Sequence, residues 1–208
     1  MDQTKLVSLV AVLALAACAT APSPERSGIA DEQVLATLRA SFHKKGQADL
    51  DRLQQDDVQK LCSEYRDGKP PADVARNIQD SQIETIKYPA DGRYLGDWKA
   101  GEKVAQSGVG KQYSDDPSVV AGGNCYACHE LTKHEIAYGT IGPSLYHFGR
   151  DRGFTLSMEK YVYGKVYNSE AYLACTNMPR FGHMGILTEQ QIKDVVALLM
   201  DPKSPVNQ

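Results

Sequence analysis

The apolar residues of this chain recur mainly at the three- and four-residue spacing of helices. The last such stretch is the clearest. Ile192, Val195, Val196 and Leu199 form one stripe, Thr188 and Gln191 stand where a capping box would open the helix, and Asp201-Pro202 closes it. Nearer the start, Val34, Leu35, Leu38 and Phe42 predict a helix that Gly46 would end. Val58, Leu61, Cys62 and Tyr65 predict a second, stopped by Gly68, Pro70 and Pro71. A third is expected from Pro71 to about Ile86, because a first helical turn tolerates proline; its stripe of Val74, Ile78 and Ile86 is sparser. Downstream, Asp97 is a good N-cap for a helix through Trp98, Val104 and Ala105. Residues 108–123, rich in glycine and serine, read as loop, and Glu159 to about Val166 as another helix. The pattern predicts an all-α protein, with a helical extension over residues 20–88 and a second region over residues 89–208.

The chemistry sits at Cys125-Tyr126-Ala127-Cys128-His129. Two cysteines at this spacing, followed at once by histidine, form the attachment pattern of a c-type haem. Both thiols add to the vinyl groups of one porphyrin, so they must lie one helical turn apart on the same face. The adjacent histidine then reaches the iron with a neutral imidazole nitrogen. A dithiol redox pair or half of a zinc site is the plainer reading of Cys-x-x-Cys. The first would want a strand–turn–helix context and the second another pair of ligands, and neither stands nearby in the sequence. One covalently attached haem c on Cys125, Cys128 and His129 is the expectation.

Composition changes this picture little. The 208 residues, with a formal net charge of −3 and no block of like charge, give no support for a nucleic-acid partner or a polybasic membrane patch. The first residues matter more. Lys5 precedes an apolar run over residues 6–17 that is too short to span a bilayer and reads as a secretion signal over residues 1–19. Cleavage after Ala19 is one outcome. The other is a lipobox, Leu15-Ala16-Ala17-Cys18, with a lipid anchor on Cys18. Soluble export is the preferred expectation, since comparable haem proteins are mostly soluble. Either way the mature chain would lie in the periplasm, where c-type haem is attached and disulfides persist. Residues 21–28, with two prolines and two serines, read as a flexible lead-in.

Two further site residues follow. Gly142-Pro143 fixes a turn after the haem motif, and the Pro143 carbonyl is placed to accept the other N–H of His129, unless this is an ordinary loop turn. For the sixth iron position the mature chain offers Met158, Met178, Met184 and Met200, with His43, His134, His147 and His183. Met178 is the choice, on its loop position before the terminal helix and the stiffening Pro179; Met184 and His183 are its nearest rivals. A thioether there would favour ferrous iron, and two filled axial positions would make the chain an electron carrier. Of five cysteines, two hold haem and one belongs to the signal, leaving Cys62 and Cys175 either to pair or to stand as two buried apolar thiols.

Five stretches then carry a resemblance: Gly-Asp-Trp-Lys-Ala-Gly-Glu (96–102), Gly-Asn-Cys-Tyr-Ala-Cys-His (123–129), Ile-Gly-Pro-Ser-Leu (141–145), Asn-Met-Pro-Arg-Phe-Gly (177–182) and Leu-Thr-Glu-Gln-Gln-Ile-Lys-Asp-Val-Val-Ala-Leu-Leu (187–199). In that order they resemble SoxX, the monohaem subunit family of SoxAX cytochromes, over roughly residues 90–200. The haem motif is common to all c-type cytochromes, so the third and fourth stretches carry the specificity. The resemblance implies a cytochrome c-like domain with thioethers at Cys125 and Cys128 and axial ligands at His129 and Met178. It further implies a heterodimer with a SoxA-like subunit that joins thiosulfate to a cysteine of the SoxYZ carrier, an L-cysteine S-thiosulfotransferase. This chain would do no catalysis alone and would take out the two electrons released. A free-standing periplasmic shuttle, or a cytochrome subunit of another dehydrogenase, is the alternative. The long helical extension departs from the shortest SoxX members, and could cover this chain's own haem domain or reach a partner.

Overall fold

A computed structural model describes residues 31–65 and 69–208. The expected secretion signal, Cys18 and Gly68 therefore lie outside the described residues. Seven α-helices follow in order: α1 (Asp31–Ser41), α2 (Asp57–Glu64), α3 (Ala72–Ile83), α4 (Trp98–Gln106), α5 (Phe148–Arg152), α6 (Leu156–Tyr167) and α7 (Glu189–Met200). Short 3-10 turns stand between them, and the described residues hold no strand beyond one isolated bridge between Lys45 and Ala48. The class is all-α. None of these helices is long and apolar enough to cross a membrane.

α1 belongs to one compact unit, and the described residues from Phe42 onward form another. The first helix stops at Ser41, whose hydroxyl turns back to the Thr37 carbonyl. Phe42 is therefore outside it, and Gly46 has no helix to end. α2 matches its apolar pattern and gains a capping box that the pattern did not announce: the Asp56 carboxylate accepts the Gln59 N–H while the Gln59 side chain reaches back to the Asp56 N–H. α3 ends at Ile83, three residues short of Ile86, which turns inward and is buried.

The frame of the second unit is the crossing of α4 on α7. Asp97 caps α4 as expected, accepting the Lys99 N–H at 2.9 Å. Thr188 and Gln191 form the expected capping box on α7, whose residues 194–200 are all buried. Two glycines let the helices touch at backbone distance. A Cβ on Gly101 would stand 2.1 Å from the Asp194 carbonyl oxygen, and one on Gly96 2.1 Å from the Asp194 carboxylate. The same carboxylate accepts the Asp97 N–H at 2.9 Å. Met200 packs into this core at 1 % exposure. α6, capped by Thr155, lays Val162, Tyr163 and Val166 against it. The C-terminal turn Pro205–Asn207 closes the far side, where the Asn207 side chain accepts the N–H groups of Gly149 and Arg150.

Because Gly101 faces backbone and not a flexible side chain, the contact cannot be relieved by a rotamer change. Gly101→Ala should cost about 1–3 kcal/mol, the usual penalty for an overpacked core. A urea unfolding curve of the haem-loaded protein checks this; an unchanged midpoint would mean that the crossing is looser than the geometry says.

Candidate functional site

The Cys-x-x-Cys-His segment is a tight 3-10 turn, Cys125–Ala127, entered through Asn124 in the left-handed region at φ 46°. The Cys125 carbonyl accepts both the Cys128 N–H at 3.1 Å and the His129 N–H at 2.9 Å, so one carbonyl gathers the three site residues. α4 holds this turn in place. Gly123 N–H donates to Val104 and Asn124 N–H to Ser107, at 2.8 and 2.9 Å. Behind the turn, buried Tyr126 donates its hydroxyl hydrogen to Glu102 at 2.9 Å, and Thr132 lies 3.2 Å from the same oxygen.

The loop after the turn folds back over it. Gly139 N–H donates to Tyr126 and Gly142 N–H to Cys128, at 2.8 and 2.9 Å. This delivers the Pro143 carbonyl to His129 Nδ1 at 2.7 Å, the contact expected from the sequence. With Nδ1–H donating there, the Nε2 lone pair is left free to bind a metal. Gly142 is required sterically, since a Cβ on it would sit 2.1 Å from the imidazole Cε1.

His129, Cys125 and Cys128 line a cavity of about 880 Å³, and so do Pro143 and Met178. Five chain positions expected to act together are thus brought together. Met158, Met184, Met200 and His183 do not line it, nor do His43, His134 and His147. Met184, the nearest rival to Met178, is 52 % exposed. The Met178 carbonyl accepts the Ser169 hydroxyl, and its N–H reaches the Thr176 hydroxyl at 3.3 Å. Asn177 is exposed and lines the same cavity.

Other readings of the cysteine pair do not fit. Burial pushes the Cys125 thiol up to about 12, whereas a working dithiol needs a depressed value. No group of three or more His, Cys, Asp or Glu able to hold a metal ion occurs among the described residues, as a structural zinc site would need. A haem does fit. The walls are largely apolar, with Val162, Val166, Phe181, Val195 and Leu199 among them, and the volume lies in the ~300–1,000 Å³ range of cofactor sites. Two cations also line it, Arg152 and Lys165, which suit the two propionate carboxylates of a haem. Burial holds the Lys165 ammonium below the usual lysine range, against a smaller opposing pull from Glu170, so an added anion would be welcome there. Sequence reading missed both cations. The available signal was a lysine set among the core positions Val162, Tyr163 and Val166 of one helix.

The cytochrome c family model matches residues 110–202. The chain is also similar to a protein of Aquifex aeolicus (strain VF5) named an uncharacterized lipoprotein, at 36 % identity, covering 94 % of this chain and 96 % of the relative. The chain carries a cytochrome c domain. Its cofactor is covalently attached haem c, and its role is haem electron transfer. The matched segment starts at residue 110, so α1, α2, α3 and α4 all precede it.

The close approach of Gly142 gives a direct test of the site in this cytochrome. Gly142→Ala should push the His129 ring off Pro143 and lower the haem content of the purified protein severalfold, measured as the pyridine haemochrome per mole of chain. Full haem content with an unaltered spectrum would show that the loop can shift at little cost.

Proposed function

We propose that this cytochrome is the monohaem electron-transfer subunit of a SoxAX-type complex. One observation carries the reading. The two stretches that set the SoxX resemblance apart, Ile-Gly-Pro-Ser-Leu and Asn-Met-Pro-Arg-Phe-Gly, meet at a single cavity, where Pro143 holds His129 and Met178 faces the same space. In this reading Cys125 and Cys128 would hold the haem through thioethers, and His129 and Met178 would hold its iron. The haem supplies a one-electron ferric–ferrous couple. His129, bonded through Nδ1–H to Pro143, is a stronger and better oriented donor than a free imidazole. Met178 supplies a soft thioether that raises the potential. With His129 and Met178 holding the iron, Arg152, Lys165 and the apolar walls would fix the cofactor and keep water from it.

The chemistry assigned to the complex balances on these terms. On a SoxA-like partner, the thiolate of a SoxYZ cysteine and the terminal sulfur of thiosulfate become a sulfur–sulfur bond, releasing two electrons. This cytochrome would carry them away singly, in two passes per turnover, to a downstream acceptor. Export agrees with the name of the Aquifex relative. That name also favours acylation of Cys18 in Leu15-Ala16-Ala17-Cys18 over release after Ala19, which would tether the cytochrome to a membrane through its lead-in segment.

Two measurements test the reading. Met178→Ala should abolish the weak long-wavelength absorption of a Met-ligated ferric haem and lower the potential, while Met184→Ala should leave both unchanged; the reverse pattern would move the ligand to Met184. For the assembly, a SoxA-like subunit, SoxYZ and thiosulfate are combined with and without this cytochrome, following reduction of its haem. Reduction should need all components. A protein that stays monomeric, ignores the SoxA-like subunit and accepts electrons from an unrelated dehydrogenase would be a free shuttle.

A further inference from the structure

The segment that carries Met178 has almost no backbone scaffold of its own. From residue 174 to residue 181 no backbone N–H donates to a backbone carbonyl. Its order comes from side chains. The Glu170 carboxylate, buried to 7 % exposure, accepts the Cys175 N–H at 2.6 Å, and Ser169 and Thr176 hold the two ends of Met178 itself. Cys175 adopts φ 57°, a left-handed conformation that a residue with a Cβ avoids unless its surroundings impose it.

α2, which lies outside the segment matched to the family, supplies what the loop lacks. Cys62, in its last turn, is joined to Cys175 by a disulfide, with Cα atoms 5.3 Å apart. Asp56, its N-cap, pairs with Arg180, whose side chain is only 8 % exposed. The two tethers thus start from opposite ends of one helix. They land three residues before Met178 and two residues after it. The disulfide, across a sequence separation of 113 residues, ties the segment covalently to α2 and constrains the unfolded chain as well. The ion pair is well sheltered on the arginine side, and removing one partner would leave a buried guanidinium unpaired.

We infer that α2 is a splint for the ligand loop, and that Asp56 and Cys62 are positioning residues that keep Met178 on the iron. The inference rests on the assignment of Met178 as an axial ligand. A thioether is a weak ligand, and a loop without a backbone ladder opens at low cost. Each opening would expose an iron position to competing small ligands and change the potential. Bracketing the methionine on both sides returns it to the iron faster than a competitor can enter. This part of the extension then acts on the chain's own haem.

The experiment titrates imidazole into the ferric holoprotein and follows loss of the long-wavelength Met-ligation band. Asp56→Asn keeps an N-cap for α2 and removes only the charge facing Arg180. The paired substitution Cys62→Ser with Cys175→Ser removes the covalent tether. Each should tighten imidazole binding about tenfold, and the combination further, since the two tethers flank the ligand independently. Arg180→Lys, which keeps a cation opposite Asp56, should lie closer to the parent than Arg180→Met. Should the cysteine variant fail to fold, Asp56→Asn and the Arg180 pair decide alone. Imidazole affinity within twofold of the parent in these variants, with the band intact, overturns the splint. A parent protein that shows no Met-ligation band, or a Met178→Ala variant that keeps it, overturns the ligand assignment and the splint with it.

Discussion

The contact between α4 and α7 at Gly96 and Gly101 sets the geometry on which the haem site depends. Because no Cβ intervenes, α4 lies against the backbone of Asp194, and its C-terminal end is fixed relative to the buried face of α7. From that end Val104 and Ser107 accept the N–H groups of Gly123 and Asn124, which places the Cys125–Ala127 turn. Glu102, one turn earlier, holds Tyr126 from behind. α7 in turn contributes Val195 and Leu199 to the cavity wall. Moving one helix would therefore move the attachment turn relative to its own cavity.

Within that frame the candidate site residues sit on loops, and each loop is held by a different means. The His129 side is a network of backbone hydrogen bonds, with Gly139 and Gly142 bringing the returning chain within contact of the turn. The Met178 side has little of this and relies on side chains, a disulfide and an ion pair. Loops carry function well when a rigid scaffold aims them. Here helices do the aiming for the histidine, and side-chain tethers do it for the methionine.

Much of this was legible in the sequence, and the particular residues say why. Thr188, Gln191 and the stripe from Ile192 to Leu199 agree at every level, so α7 could be read directly. The attachment motif is short-range chemistry, and Gly142-Pro143 and Met178-Pro179 are backbone punctuation in the expected order. The Cys62–Cys175 pairing followed from counting cysteines, with two buried thiols left open as the alternative; the structure decides for the disulfide. What stayed hidden depends on residues far apart in the chain. Arg152 and Lys165 look like ordinary helical cations until the fold turns them toward one cavity. Nothing in a linear reading pairs Asp56 with Arg180. The end of α1 before Phe42 was missed for the opposite reason, since an apolar spacing continues there after the helix has stopped.

The residues ahead of the family-matched segment have a cost that any account of them must meet. Fixing each one opposes folding by about 1–2 kcal/mol of backbone entropy, and a carrier gains nothing from order alone. Part of that cost is offset inside the same compact unit. α3 is tied to the ligand side through Asn168, fully buried, whose amide donates to Gln82 and Thr85 at 3.0 and 2.9 Å. Asn168 also caps the Ser169–Ala171 turn, the turn whose hydroxyl meets the Met178 carbonyl. α2 and α3 therefore reach the same loop from separate directions, one through a disulfide and an ion pair, the other through a buried amide. All of these contacts join residues far apart in the chain and lie within the protein itself. An electron carrier gains from a loop held this way, because one that relaxed on each reduction would add reorganisation to every transfer.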